Sequence, residues 1–197
     1  MTIDKKLILS DGDGVLLDWE WAFHVWMREK GYVMTEEAKL TYYIHHMYHD
    51  LKQEESKQLV RTFNESAAIG FLPPLRDSMY YVRKLYEKHG YRFRVITSVS
   101  LDTHTIQLRE MNLRKLYGDA IESVICLDCG ADKDHVLAEY ANSGMWWIED
   151  RYENYTLGLE MGLNSILMEH GYNLKVNPLN GYIVKTWEEI YKLIISS

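Results

Sequence analysis

Two aspartates two positions apart, Asp11 and Asp13, each followed by a glycine, end a short apolar run in the segment Leu7-Ile8-Leu9-Ser10-Asp11-Gly12-Asp13-Gly14-Val15. Residues i and i+2 of an extended strand share a face, and the glycines let the backbone bend and a ligand approach closely. Such a pair can divide labour, one carboxylate attacking and the other moving protons. A Ca²⁺ loop of the Asp-x-Asp kind is the competing reading. Val15 and Leu16 stand where that loop needs a ligand and its turn glycine, and an apolar strand rather than a helix precedes Asp11, which disfavours it.

These carboxylates need a frame. Strand-like segments at 6–10, 93–97, 123–127, 146–148 and 164–168 alternate with amphipathic stretches at 77–89, 102–111, 133–143 and 155–161, a pattern that predicts a parallel sheet with helices on its faces. Gly90, Gly144 and Gly162 fall where helix C-terminal glycines belong. Sheets of this kind bind ligands beyond the carboxyl ends of their strands, where Asp11, Thr97 and Asp150 would emerge. Residues 18–75 break the alternation and read as helices at 19–30, 35–48 and 53–68, closed by Pro73-Pro74. The expected division is thus an α/β core of residues 1–17 and 76–197 with a helical cap, 18–75, inserted after the first strand. Trp19, Phe23 and Trp26 have helical spacing and predict the insert's own core. Trp19, a few residues beyond Asp13, is also within reach of the crevice.

With 197 residues and 47% hydrophobic content, the chain can bury one core plus a small accessory unit. No apolar run approaches the ~20 residues needed to span a bilayer, so no membrane partner is expected. The net charge of −7 argues against binding long nucleic acid. Two cysteines, Cys126 and Cys129, rule out a disulfide framework and fit a reducing cytosol, hence a cytoplasmic location. Their Cys-x-x-Cys spacing ends a strand rather than opening a helix, so they read as structural. His45, His46 and His49 offer too few well-placed ligands for a transition metal. Arg83, Lys84, Lys88, Arg92 and Arg94 read as a solvated face.

The ordered set Asp11-Gly12-Asp13-Gly14-Val15, Thr97 after Arg-Val-Ile, Lys133, and Glu149-Asp150 after Trp-Trp-Ile resembles the four motifs of the haloacid dehalogenase superfamily, and within it the 5'(3')-deoxyribonucleotidases. Asp-Gly-Asp-Gly-Val-Leu-Leu-Asp-Trp-Glu, Thr97-Ser98, Asp132-Lys133, Ile148-Glu149-Asp150 and Thr186-Trp187-Glu188 carry the closer likeness. Val99 stands where that family usually has proline, and Glu149 where it usually has aspartate.

The resemblance implies a Rossmann-like core and a phosphatase in which Asp11 is the nucleophile and Asp13 the acid and base. Mg²⁺ would be held by Asp11, the Asp13 carbonyl and Asp150, with Glu149 and Asn154 orienting them from behind. Thr97, Ser98 and Lys133 would hold phosphate, and Trp19 would stack on a base. The substrate expected is a small phosphomonoester, foremost a nucleoside monophosphate. The alternatives are a sugar phosphate or other metabolite, turned over by a phosphatase or phosphomutase, and a catalytically weak protein that binds a phosphorylated ligand. A homodimer is compatible with the sequence.

Overall fold

The computed structural model describes residues 6–196. Six parallel strands form one sheet in the order β3-β2-β1-β4-β5-β6: β1 Leu7–Ser10, β2 Arg92–Ser98, β3 Ile121–Leu127, β4 Trp146–Glu149, β5 Asn164–Met168 and β6 Tyr182–Val184. Helices cover both faces, so β1 is buried at all four positions, as expected of a central parallel strand. In register, Ser10 lies between Val95 of β2 and Ile148 of β4. The residue after it, Asp11, therefore leaves the sheet at its centre.

The covering helices are α4 Ser78–His89, α5 Thr103–Tyr117, α6 Asp134–Leu137, α7 Tyr152–Glu160 and α8 Trp187–Ile195. Asp102 caps α5 by accepting from the Thr105 amide at 2.9 Å, and Gly90 ends α4 in the left-handed region at φ 72°. Helix α5 runs six residues past its expected end, because good helix formers continue to Gly118, whose φ of 59° stops it. The helix expected at 133–143 is one α-turn followed by a 3-10 turn, Ala138–Tyr140.

Two elements lie outside the expected alternation. Strand β6 has three residues at the sheet edge, too few for a visible alternation. Helix α8, capped by Thr186, packs on α4, and its Trp187 is fully buried. The indole N–H of Trp187 donates to the Val15 carbonyl at 2.8 Å and so pins the loop after β1 from below.

Between β1 and α4 the chain forms α1 Trp19–Glu29, α2 Ile44–Met47 and α3 Gln53–Asn64. The helix expected at 35–48 is instead a 3-10 turn, Ala38–Leu40, extended backbone at Thr41 and Tyr43, and the single turn of α2. Thr41, Tyr42 and Tyr43 lose side-chain freedom in a helix, and no side chain caps either turn. Helix α3 stops at Asn64, and Ser66 starts a separate 3-10 turn, Ala67–Phe71. Phe23 holds these pieces together: its ring stacks on Trp19 at 4.7 Å and meets Phe63 edge-on at 5.3 Å.

This insert closes over the carboxyl end of the sheet. Arg61 pairs with Asp128 at 3.1 Å, and Tyr42 meets Tyr172 edge-on at 5.6 Å. The two sides also touch backbone to backbone, since a Cβ on Gly171 would lie 1.9 Å from the Lys39 carbonyl oxygen. Among the described residues, no helix is long and apolar enough to cross a membrane.

Candidate active site

The loop after β1 is a tight turn in which the Leu16 and Leu17 amides donate to the Gly12 carbonyl and the Gly14 amide donates to that of Leu17. It must be glycine-rich: at φ +71°, a Cβ on Gly14 would stand 2.2 Å from Asp150 Oδ2, and one on Gly12 3.1 Å from Thr97 Oγ1. The loop therefore brings Asp11, Thr97 and Asp150 to one point at the sheet's end.

Lys133, from the turn that opens α6, is buried between two carboxylates. Its Nζ lies 2.9 Å from Asp11 Oδ2 and 2.7 Å from Glu149 Oε1. Burial opposes the ammonium charge, but Asp11 and Glu149 outweigh it and hold the lysine protonated. Both Glu149 oxygens are occupied: Oε1 accepts from Lys133 and from Asn154 Nδ2 at 2.8 Å, and Oε2 from the Asp150 and Arg151 amides at 2.7 and 2.6 Å. Burial works against its charge, yet Lys133 and these donors keep its carboxyl below the usual range.

The other two carboxylates are less well matched. Asp11 accepts from the Gly12 amide at 2.6 Å as well as from Lys133, yet burial, Glu149 and Asp13 push it up to about 7 despite the lysine. Asp150 is raised well above the usual carboxylate range, first by burial and then by Glu149 and Asp11. With all three ionised, this group carries two more negative charges than Lys133 offsets.

Among the described residues, the Asp11, Glu149 and Asp150 oxygens form a group of potential metal ligands lying within 4.8 Å of one another. Buried oxygens with surplus negative charge suit a hard divalent cation such as Mg²⁺. Each Glu149 oxygen already accepts from two protein donors, whereas each Asp11 oxygen accepts from one and Asp150 Oδ2 from one, so Asp11 and Asp150 keep the lone pairs to hold it. Asp150 is itself steered by neighbours that the sequence did not reveal: the Tyr172 hydroxyl donates to its Oδ2, and Asn173 Nδ2 to its carbonyl at 2.7 Å.

Asp13 lines the same cavity, but both of its oxygens accept from Arg109 of α5, at 2.5 and 2.9 Å. Thr97 Oγ1 is buried without a protein partner, the state of a hydroxyl placed for a ligand. The Ser98 hydroxyl instead donates to the Ala131 carbonyl at 2.9 Å, which leaves its backbone as the part that could serve an anion. Trp19 lies at the insert wall of a cleft of about 740 Å³, its indole N–H donating to Asn64 Oδ1 at 2.8 Å.

The remaining sequence signals lie outside this cluster. The His45 and His46 rings meet at a tilt with centres 4.1 Å apart, and no metal group that includes them forms among the described residues. Cys126 and Cys129 are free thiols, pushed up by burial.

No family model matches the chain. It is 23% identical over 136 residues to an uncharacterized 32.4 kDa protein of Enterobacteria phage T4, a match that takes in 67% of this chain and 48% of that one. The chain thus spans about half the length of the curated relative it matches. Solved structures with the same architecture include a haloacid dehalogenase-like hydrolase from Streptococcus pneumoniae, with a TM-score of 0.68 and 16% identity over 95% of this chain and 97% of that one. CbbY from Rhodobacter sphaeroides, solved with phosphate, has a TM-score of 0.60 and 16% identity over 95% and 96% of the two chains. For the L-2-haloacid dehalogenase of Xanthobacter autotrophicus the values are 0.61 and 11%, over 98% and 99%. The central parallel sheet, the insert after its first strand and the carboxylate cluster at its carboxyl end are built on the fold of the haloacid dehalogenase superfamily.

Proposed function

We propose that the chain is a phosphatase that hydrolyses a small phosphomonoester through an aspartyl phosphate, an acyl phosphate formed on Asp11. The observation that carries this reading is the buried group in which Asp11, paired with Lys133, faces Asp150 and surplus negative charge, beside the unpartnered hydroxyl of Thr97. A haloalkane-type displacement by Asp11 does not require a second carboxylate in the cavity, whereas release and hydrolysis of a phosphoryl group do call for an acid and a base.

Asp11 would attack phosphorus as its bond to the leaving oxygen breaks, and Asp13 would give that oxygen a proton. Asp13 would then take a proton from the water that attacks the phosphorylated Asp11, freeing inorganic phosphate. Lys133 and the Thr97 hydroxyl would hold the phosphoryl oxygens where charge develops. A Mg²⁺ ion held by Asp11, the Asp13 carbonyl and Asp150 would neutralise the surplus charge and polarise a phosphoryl oxygen. Glu149 and Asn154 would keep Lys133 and the backbone at 150–151 in place.

A nucleoside monophosphate is the substrate favoured here. The cleft of about 740 Å³ is of the size of small-ligand sites, roughly 300–1,000 Å³. Phe23 covers one face of Trp19, so a base would stack on the other. Closure of the insert disfavours long nucleic acid.

The test is phosphate release from ribo- and deoxyribonucleoside 5'- and 3'-monophosphates, sugar phosphates and an aryl phosphate, with and without Mg²⁺. Mg²⁺-dependent turnover of nucleotides that Asp11→Asn abolishes is the expected result, with Trp19→Ala losing nucleotide turnover far more than aryl phosphate turnover. Equal losses on both would remove the base-stacking role, and full activity in Asp11→Asn would end the phosphatase reading.

A further inference from the structure

Asp13 faces the cavity with both oxygens held by one residue. Arg109 Nη1 lies 2.5 Å from its Oδ1 and Nη2 2.9 Å from its Oδ2, a two-pronged pair that fixes the plane of the carboxylate. The Arg109 side chain has no exposed surface, whereas the Asp13 side chain is 24% exposed. The guanidinium thus approaches from inside the protein and leaves the outer edge of the carboxylate open to the cleft. Buried ion pairs are poor stabilisers, because the desolvation of two charges cancels much of their attraction. Arg109 is not even fully satisfied, since its Nε is buried without a partner. The donors it does use are the two that orient Asp13.

The helix that carries Arg109 is also fastened to the insert. Thr105, Leu108, Arg109 and Asn112 share one face of α5 by their spacing. Thr105 Oγ1 donates to the Asn64 carbonyl at 3.2 Å, and Asn112 Nδ2 donates to that of Leu72 at 3.1 Å. Leu108 packs so close to Gly70 that a Cβ there would lie 3.0 Å from its Cδ2. The face that grips Asp13 is therefore bolted to residues 64–72, the strip of chain leaving the insert.

We propose that Arg109 is a positioning residue: it orients the Asp13 carboxylate for proton transfer, and α5 sets that orientation relative to the insert. The inference rests on the phosphatase reading and deepens it. In the first half of the reaction, a proton on Asp13 passes to the leaving oxygen as the phosphorus–oxygen bond to it breaks. In the second, Asp13 takes a proton from water as the water oxygen bonds to phosphorus and the bond to Asp11 breaks. Each transfer uses the cavity-facing edge of a carboxylate whose other edge Arg109 holds.

An aryl phosphate with a good leaving group needs little help from an acid, so the second half is the one that reports on Asp13. Arg109→Lys keeps the charge and removes the fork; Arg109→Gln removes both. The expected result in Mg²⁺ is a fall of about 10²-fold in kcat with KM falling alongside it, so that kcat/KM changes little, and a stoichiometric burst of phenol as phosphorylated Asp11 accumulates and is trapped by acid quench. Asp13→Asn should give the same burst, and adding Arg109→Lys to it should slow turnover no further, since both act on one step. A folded Arg109→Lys with the parent's kcat and no burst would overturn the inference, as would losses that simply add. If both Arg109 variants fail to fold, Thr105→Val, which loosens α5 from the insert without touching the pair, should show a smaller burst of the same kind; parent-like kinetics there would overturn it. Asp11 left unphosphorylated in the parent, together with full turnover by Asp11→Asn, would instead sink the phosphatase reading itself.

Discussion

Lys133 and Asp11 meet at 2.9 Å inside the protein, and Glu149 holds the same ammonium from its other side at 2.7 Å. The lysine is thus shared by the proposed nucleophile and by a carboxylate that touches only protein donors. Lys133→Met should lower kcat by about 10²–10³-fold through loss of a fixed charge at the phosphoryl group. It should also cost about 3–5 kcal/mol of stability, because two buried carboxylates lose their cation. Adding Glu149→Gln should restore part of the melting temperature and none of the turnover. Thermal melts and steady-state rates on the two variants check both halves.

Surplus negative charge among Asp11, Glu149 and Asp150 predicts stabilisation by a hard cation. A ligand at a hundred times its Kd adds ~2.7 kcal/mol, which for a chain of this size raises the melting temperature by roughly 5–10 °C. A melt series in Mg²⁺ should show that rise, EDTA should reverse it, and Asp150→Asn should abolish it. An unchanged rise in Asp150→Asn would place the ion elsewhere.

The Tyr172 hydroxyl fixes Asp150 Oδ2, while its ring stacks flat on His170 at 5.2 Å. Tyr172→Phe keeps the stack and removes the hydrogen bond. Partners that orient metal ligands are worth about 10–100-fold in affinity. Calorimetric titration with Mg²⁺ should find that loss, and wild-type affinity would show that Asp150 needs no such guide.

Burial pushes the Cys126 thiol up to about 11 from a reference of 9.0. The folded state therefore holds this proton more tightly than the unfolded chain. The stability it contributes is complete below pH 9 and is lost as the pH climbs from 9 towards 11, on the order of 1–2 kcal/mol for a partly exposed group. Melting temperatures across that range should fall less steeply in Cys126→Ser than in the parent.

Much of this architecture was legible in the sequence because it depends on local patterns. Five of the six strands are apolar runs bounded by turn residues, and β5 matches its expected bounds, Asn164–Met168. Asp11, Thr97, Lys133 and Asp150 come together because each ends a strand or opens a turn on the same side of the sheet. Arg109 and Tyr172 escaped notice for the opposite reason. One lies mid-helix and the other in a 3-10 turn, Gly171–Asn173, and neither segment carries a pattern that marks its partner. The helical reading of 35–48 failed because apolar spacing outweighed the poor helix propensity of Thr41-Tyr42-Tyr43.

Among the six described strands, the one that delivers Asp11 comes first in sequence, yet it lies at the centre of the sheet, flanked by strands that start at Arg92 and Trp146. On a ribosome, Asp11 emerges more than a hundred residues before Lys133, the cation paired with it. A nascent chain halted between Leu75 and Trp146 has the aspartate pair and the whole insert but lacks β4 beside β1. The aromatic packing of Phe23 with Trp19 and Phe63 draws on residues that are all available early. The proposed site is thus incomplete until β4 slots in beside β1 and brings Glu149 and Asp150 to the loop begun by residue 11.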